Sequence, residues 1–152
     1  MPDVAIPEDI AHVIQIAIAP VFLLAGIGAF LNVMANRLAR VVDRWRALEA
    51  DLATCDADAR KIRVEELSGL DRRMANINRA IALSTLAALL VCVVIILLFT
   101  GQLLHMPVTQ AVSILFIAAM SVLVAGLIYF LLEIRIASRT LRVARVLLKR
   151  DA

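Results

Sequence analysis

Residues 80–132 of the chain read AIALSTLAALLVCVVIILLFTGQLLHMPVTQAVSILFIAAMSVLVAGLIYFLL and contain no Asp, Glu, Lys or Arg. A helix that crosses a membrane needs about 20 predominantly apolar residues, so this stretch is long enough for two of them. Gly, Gln, His and Pro lie between Thr100 and Thr109 and are typical of a turn. The stretch therefore predicts span two at residues 80–100 and span three at residues 109–132.

A second stretch without charged side chains, residues 10–36, lies near the start of the chain and predicts span one. It is too long for the apolar region of a signal peptide, and it follows an acidic segment where a signal peptide would carry basic residues. The composition agrees with three spans, because 62% of the residues are hydrophobic and soluble proteins contain roughly half.

The distribution of basic residues predicts the orientation of the chain. All 16 Lys and Arg lie within residues 37–79 and 135–150, and none lies before span one or in the turn after Thr100. Loops that are rich in Lys and Arg stay on the cytoplasmic side of a membrane. We therefore expect the N-terminus outside the membrane and the C-terminus in the cytoplasm, with the basic tail in contact with anionic lipids.

Heptad-like patterns of apolar residues predict that the helices continue beyond the membrane as short coiled-coil segments. Asp56 or Asp58 is suited to cap the second helix of a hairpin at residues 37–79, and a further helix is predicted at residues 133–152. The chain is thus predicted to be all-α, a single integral membrane domain over residues 1–152 with three transmembrane helices and helical cytoplasmic extensions. The three apolar seams are Leu38, Val42, Trp45, Leu48 (or Glu49) and Leu52; Leu67, Leu70, Met74, Ile77 and Ile81; and Ile134, Ala137, Leu141, Ala144 and Leu148.

Span one differs from the other spans because small and polar residues recur along one of its faces. At 100° per residue this face contains Gln15, Ala19, Phe22, Gly26, Ala29, Val33, Asn36 and Arg40, with Asn32 at its flank. The opposite face carries Ile14, Val21, Leu24, Ile27 and Leu31. Residues that contact lipid are usually bulky and apolar, whereas small residues and amides occur where membrane helices meet. We therefore expect the first face to be turned away from lipid.

Two explanations fit this face of span one. It is either a tightly packed helix interface or the lining of a pore that several subunits of a homo-oligomer form together. The candidate lining or interface residues are Gln15, Ala19, Gly26, Asn32, Val33, Asn36 and Arg40. A pore would make the protein a small ion channel, with Arg40 forming a basic ring at its cytoplasmic mouth and Asp43 one turn further on.

A different function is suggested by Trp45 between Arg44 and Arg46, because Trp and Arg are common in binding hot spots. These residues would let the protein act as a structural scaffold that binds a cytoplasmic protein. No enzyme motif, metal-ligand spacing or cofactor-binding loop is present in the sequence. Arginines alternate with acidic residues and are not interleaved with aromatics, so a nucleic-acid partner is not expected. Glu133, at the inner end of span three, is expected to pair with a nearby Arg.

The sequence around span one resembles the signature of a family of small bacterial membrane proteins that is catalogued as a domain of unknown function. The resemblance covers most of the chain and implies three spans in the bacterial inner membrane, with no activity attached. A second matching segment is RRMANINRAIALST, residues 72–85. The matching positions in the first segment are Ala19–Pro20, Leu31–Asn32, Asn36–Arg37–Leu38–Ala39–Arg40, Asp43–Arg44 and Leu48–Glu49.

Overall fold

Three long α-helices make up the described part of the protein, as a computed structural model shows. The structure describes residues 8–52, 56–104 and 106–148, and it describes side chains at residues 14–52, 56, 59–104 and 106–135. Helix α1 is Glu8–Leu52, α2 is Ala57–Leu104 and α3 is Thr109–Leu148. No strand occurs within these ranges, so the predicted all-α fold is confirmed.

Each helix contains a segment that is long and apolar enough to cross a membrane. These segments lie within Ile14–Leu52, Ala59–Leu104 and Thr109–Arg135. In a bilayer every backbone N–H and C=O must be paired inside the protein, and a continuous helix pairs them all. The chain is therefore a multi-pass membrane protein with three candidate spans, as the sequence predicts.

The helix ends follow from local hydrogen bonding. The backbone N–H of Arg60 donates to the carbonyl of Asp56 at 2.9 Å, so Asp56 is the N-cap residue of α2. Between α2 and α3, the N–H of Met106 donates to the carbonyl of Gly101 at 3.0 Å. Gly101 is buried and leaves no space for a side chain, since a Cβ atom there would collide with Val108. Helix α2 continues four residues beyond the predicted end of span two, to Leu104.

The helices divide into two compact units, each with its own apolar core. The first comprises the part of α1 up to Leu31 together with residues 83–124. Ile27, Val91 and Ala119 are buried at its centre, so all three helices contribute to this core. Partly buried side chains surround it, namely Leu23, Leu24, Leu31, Ala88, Leu90, Ile95 and Leu123.

The second unit comprises Asn32–Ala82 and the part of α3 from Ala125. The predicted seam of α2 is confirmed, because all five of its residues belong to this core. The seam of α1 contains the buried Val41, whereas the predicted Val42 is only half-buried and lies outside the core cluster. The predicted seam of α3 lies outside the described side chains, except for Ile134. The core contains Val41, Leu48, Leu70 and Ile77, packed against Leu38, Trp45, Leu67, Met74 and Ile81.

Candidate functional site

All the residues that the sequence predicts to line a pore or an interface are exposed on the surface of the single chain. In the first unit these are Gln15, Ala19 and Gly26. In the second unit they are Asn32, Val33, Asn36 and Arg40. A Cβ atom built on Gly26 would meet no atom within 4 Å, so open space lies beside the helix there. The face is therefore available for contact with a second molecule.

The opposite face of span one is exposed at Ile14 and Val21 and packs against the other helices further along. Ile27 is buried in the core of the first unit, and Leu24 and Leu31 pack beside it. These residues face the other helices of the unit, since large aliphatic side chains fill a helix–helix core as well as they contact lipid chains.

The exposed surface of α1 changes character along the helix. Between Ile14 and Phe22 it is mostly bulky and apolar, as expected for a surface in contact with lipid. From residue 25 to residue 40 every exposed residue except Val33 is small or polar. These residues, which we call the small polar face, are Ala25, Gly26, Gly28, Ala29, Asn32, Val33, Ala35, Asn36, Ala39 and Arg40.

The exposed surfaces of α2 and α3 provide a comparison for the small polar face. In the first unit they carry large aliphatic and aromatic side chains, such as Leu89, Ile96, Phe99, Ile114 and Ile117. Such side chains are those expected next to lipid tails. The small polar face is therefore the exception among the described apolar segments, and lipid contact does not account for it.

Two amides provide the hydrogen-bonding groups of this face. The side-chain Nδ2 of Asn36 donates to Oδ1 of Asn32, one turn earlier, at 3.4 Å. An asparagine side chain has two N–H donors and an oxygen with two lone pairs, so this long bond uses a small part of the capacity of the pair. The remaining groups need partners from water, lipid headgroups or another protein surface.

A buried carboxylate connects the three helices within the second unit. Glu133 on α3 is 1% exposed and accepts hydrogen bonds from Nη1 of Arg37 at 2.7 Å and from Nη2 of Arg73 at 2.9 Å. The prediction that Glu133 pairs with an arginine is confirmed. Sequence reasoning did not identify Arg73 as a partner, although its position directly before the seam residue Met74 places it near the core. The Arg37 guanidinium also lies over the Phe130 ring, 5.2 Å from its centroid.

Most of the predicted docking residues make contacts within the second unit of the chain. Trp45 is half-buried and packs in the core of the second unit. Arg44 donates to Oε1 of Glu66 through Nε at 3.2 Å and Nη2 at 2.8 Å. Arg46 is exposed. Two of the three side chains therefore contribute to the packing of α1 against α2 within this unit.

Metal-binding groups are not brought together in the described part of the chain. No cluster of three or more His, Cys, Asp or Glu side chains occurs there. The structural features that stand out are the small polar face of α1 and the arginine cluster around Glu133.

Comparison with known proteins shows the family. The chain belongs to the family described as protein of unknown function (DUF2721), whose model matches residues 17–143. The matched region contains the small polar face, Glu133, the first candidate span from residue 17 onward and the whole of the other two candidate spans. No curated protein and no solved structure matches the chain.

Proposed function

We propose that this member of the family forms a homo-oligomer in the bacterial inner membrane, in which α1 of each subunit lines a small ion-conducting pore. The observation that carries the proposal is the exposed small polar face of α1. It lies in a helix that is long and apolar enough to span a membrane, so its amides need partners that lipid tails do not provide.

The chemistry of the face favours association between copies of the chain. Alanine and glycine allow two helices to approach closely, and asparagine side chains form hydrogen bonds across such contacts. Three helices do not enclose a conduit by themselves, but a ring of subunits does. A polar face shared by all subunits then meets water at the centre of the ring, which satisfies Asn32 and Asn36.

The residues of the face suggest how such a pore would treat ions. Uncharged amide rings at Gln15 and Asn36 would set little preference between cations and anions. A ring of Arg40 side chains would favour anions, and Asp43 one turn further along α1 would oppose it. We therefore expect the pore to conduct anions modestly better than cations.

The conductance experiment uses the purified protein in planar bilayers over a range of voltages. We expect discrete currents, and we expect Asn36→Leu to change their amplitude because it replaces an amide of the lining with an apolar side chain. The matched control is Asn78→Leu, which alters an exposed asparagine on α2 and should leave the amplitude unchanged. Currents no larger than those of protein-free bilayers would refute the pore.

The assembly is tested separately by disulfide crosslinking in membranes, with Cys55 and Cys92 replaced by alanine. A cysteine introduced as Ala35→Cys on the small polar face should form covalent dimers under mild oxidation. Leu89→Cys, which is exposed on α2, should remain monomeric. Equal crosslinking of both variants would show that the contact does not involve α1 specifically.

The alternative, a scaffold that binds a cytoplasmic protein, has less support from the geometry. It depends on Trp45, Arg44 and Arg46, and the first two already make contacts within the subunit. Among the described residues, the amides of the small polar face have no hydrogen-bond partner apart from each other. The assembled membrane region is therefore the better-supported site of function.

A further inference from the structure

A basic cavity of about 300 Å³ lies within the second unit, and of the proposed pore-lining residues it contains Arg40. Four arginines border it, namely Arg37, Arg40, Arg44 and Arg73. The Glu133 carboxylate is the acidic group on its wall. A cavity with this lining attracts anions, and its size admits a phosphate group with part of the molecule that carries it.

The positive charge of the cavity is only partly compensated. Glu133 is shared between Arg37 and Arg73, and Glu66 neutralises Arg44 from outside the lining. Arg40 is exposed and has no ion-pair partner among the described residues. The four arginines of the lining therefore exceed the two carboxylates, Glu133 and Glu66, by two charges.

The cavity also has hydrogen-bond donors to spare. Each guanidinium carries five N–H groups in a planar fork that fits the oxygens of a phosphate. Nε of Arg73 is buried and has no hydrogen-bond partner within the described part of the chain. A buried donor without a partner costs free energy. The four guanidinium groups together carry more N–H donors than their ion pairs use, so donors remain for the oxygens of an anion.

The sequence positions of the lining residues indicate the depth of the cavity in a membrane. Arg37 directly follows the charge-free residues 10–36, and Glu133 directly follows the charge-free residues 80–132. Both groups therefore occur where apolar spans meet charged segments, which is the level of the lipid headgroups. Basic pockets at the ends of membrane helices bind the headgroups of anionic lipids.

We propose that this cavity is a binding site for a phosphate group, with the guanidinium of Arg40 and its neighbours as the donors. The phosphate is carried either by the headgroup of an anionic phospholipid or by a soluble phosphate compound, and the depth of the cavity favours the lipid. The site lies within one subunit, so it does not depend on assembly or on conduction.

The test is a binding titration of the purified protein in a neutral detergent. Phosphatidylglycerol and cardiolipin are compared with phosphatidylcholine by native mass spectrometry, and inorganic phosphate and glycerol phosphate are added separately. Trp45 is the single tryptophan of the chain and follows Arg44 directly, so its fluorescence reports binding in solution. We expect both anionic lipids to bind and phosphatidylcholine to be excluded.

The variant Arg40→Gln should weaken binding about tenfold, because a charge-assisted hydrogen bond contributes about 1.5 kcal/mol and each 1.4 kcal/mol changes affinity tenfold. The matched control Arg46→Gln removes an equal charge from an exposed position of α1 outside the cavity. Arg40→Lys keeps the charge but loses the planar fork, so its affinity should be intermediate.

Each outcome of the titration decides the proposal. Selective binding of the anionic lipids that Arg40→Gln weakens and Arg46→Gln does not would establish the lipid headgroup as the source. Binding of inorganic phosphate or glycerol phosphate alone, with the same dependence on Arg40, would establish a soluble source. Binding of neither class, or equal loss in Arg40→Gln and Arg46→Gln, would overturn the site. Melting temperatures of the variants show whether each is folded.

Discussion

Glu133 is the residue whose removal should have the largest effect on the second unit. It is 1% exposed, while the side chains of Arg37 and Arg73 that bind it are 32% and 26% exposed. Breaking a buried ion pair by removing one partner costs roughly 3–5 kcal/mol, because the remaining charges lose their compensation. Partial exposure of both arginines lets water replace some of the lost interaction, so the expected cost is nearer the lower limit.

We predict that Glu133→Gln lowers the free energy of unfolding by about 3 kcal/mol, since the amide keeps the shape of the carboxylate but not its charge. Thermal unfolding in detergent, followed by circular dichroism, measures the change. Glu65→Gln is the matched control, because Glu65 is an exposed glutamate of α2 and should shift the melting temperature little. Similar melting temperatures for the two variants would contradict a structural role for the buried ion pair.

The pairing of Glu133 shows what can be predicted at the scale of a residue. A carboxylate at the end of an apolar span needs a cation, and this requirement can be read from the sequence alone. The sequence does not show which arginine is the partner, because four arginines lie near the ends of their spans, namely Arg37, Arg72, Arg73 and Arg79. Contacts between α1, α2 and α3 within the second unit select Arg37 and Arg73.

At the scale of the element, the spacing of apolar residues predicts which residues share a face of a helix. It is less reliable in predicting whether that face contacts lipid, water or another helix. The seam of α2 was predicted in full because one strongly apolar stripe runs through a charged segment. On α1 the adjacent Val41 and Val42 both fit alternating spacings of three and four residues. The partner helix decides between them, and the structure buries Val41.

The faces of span one illustrate the same limit inside the membrane. In water only an apolar face packs inward, but lipid tails are as apolar as a protein core. Large side chains such as Ile27 therefore suit either environment, and the sequence does not distinguish them. Part of the small polar face was predicted from the sequence, because small and polar residues suit neither lipid contact nor a core of large residues. The predicted residues are Gly26, Ala29, Asn32, Val33, Asn36 and Arg40.

The seam of α2 provides a prediction about the strength of this packing. Ile77 is completely buried in the core of the second unit, so Ile77→Ala removes apolar contacts and leaves a cavity. The expected loss of stability is roughly 2–5 kcal/mol. The control Ile62→Ala makes the same chemical change at a side chain that is 71% exposed and should cost much less. Chemical unfolding of both variants in detergent measures the difference, and equal losses would contradict the assigned seam.

At the scale of the whole molecule, the charge pattern and the three spans together predict how the chain crosses the membrane. The basic residues lie within residues 37–79 and 135–150, and the connection between α2 and α3 has no Lys, Arg, Asp or Glu. Translocating an arginine-rich segment is unfavourable, so these segments should remain in the cytoplasm. The proposed phosphate site and the mouth of the proposed pore at Arg40 would then face the cytoplasm.

This orientation is tested by labelling introduced cysteines with a membrane-impermeant maleimide in intact spheroplasts. Cys55 and Cys92 are again replaced by alanine. Gln102→Cys, near the end of α2, should react at once, whereas Ser68→Cys should react only after the membrane is permeabilised. Both native side chains are exposed on the subunit, so a difference in reactivity reports the side of the membrane and not burial. The opposite pattern would place the basic segments outside the cell, and the proposed pore would then have its arginine ring at the outer mouth.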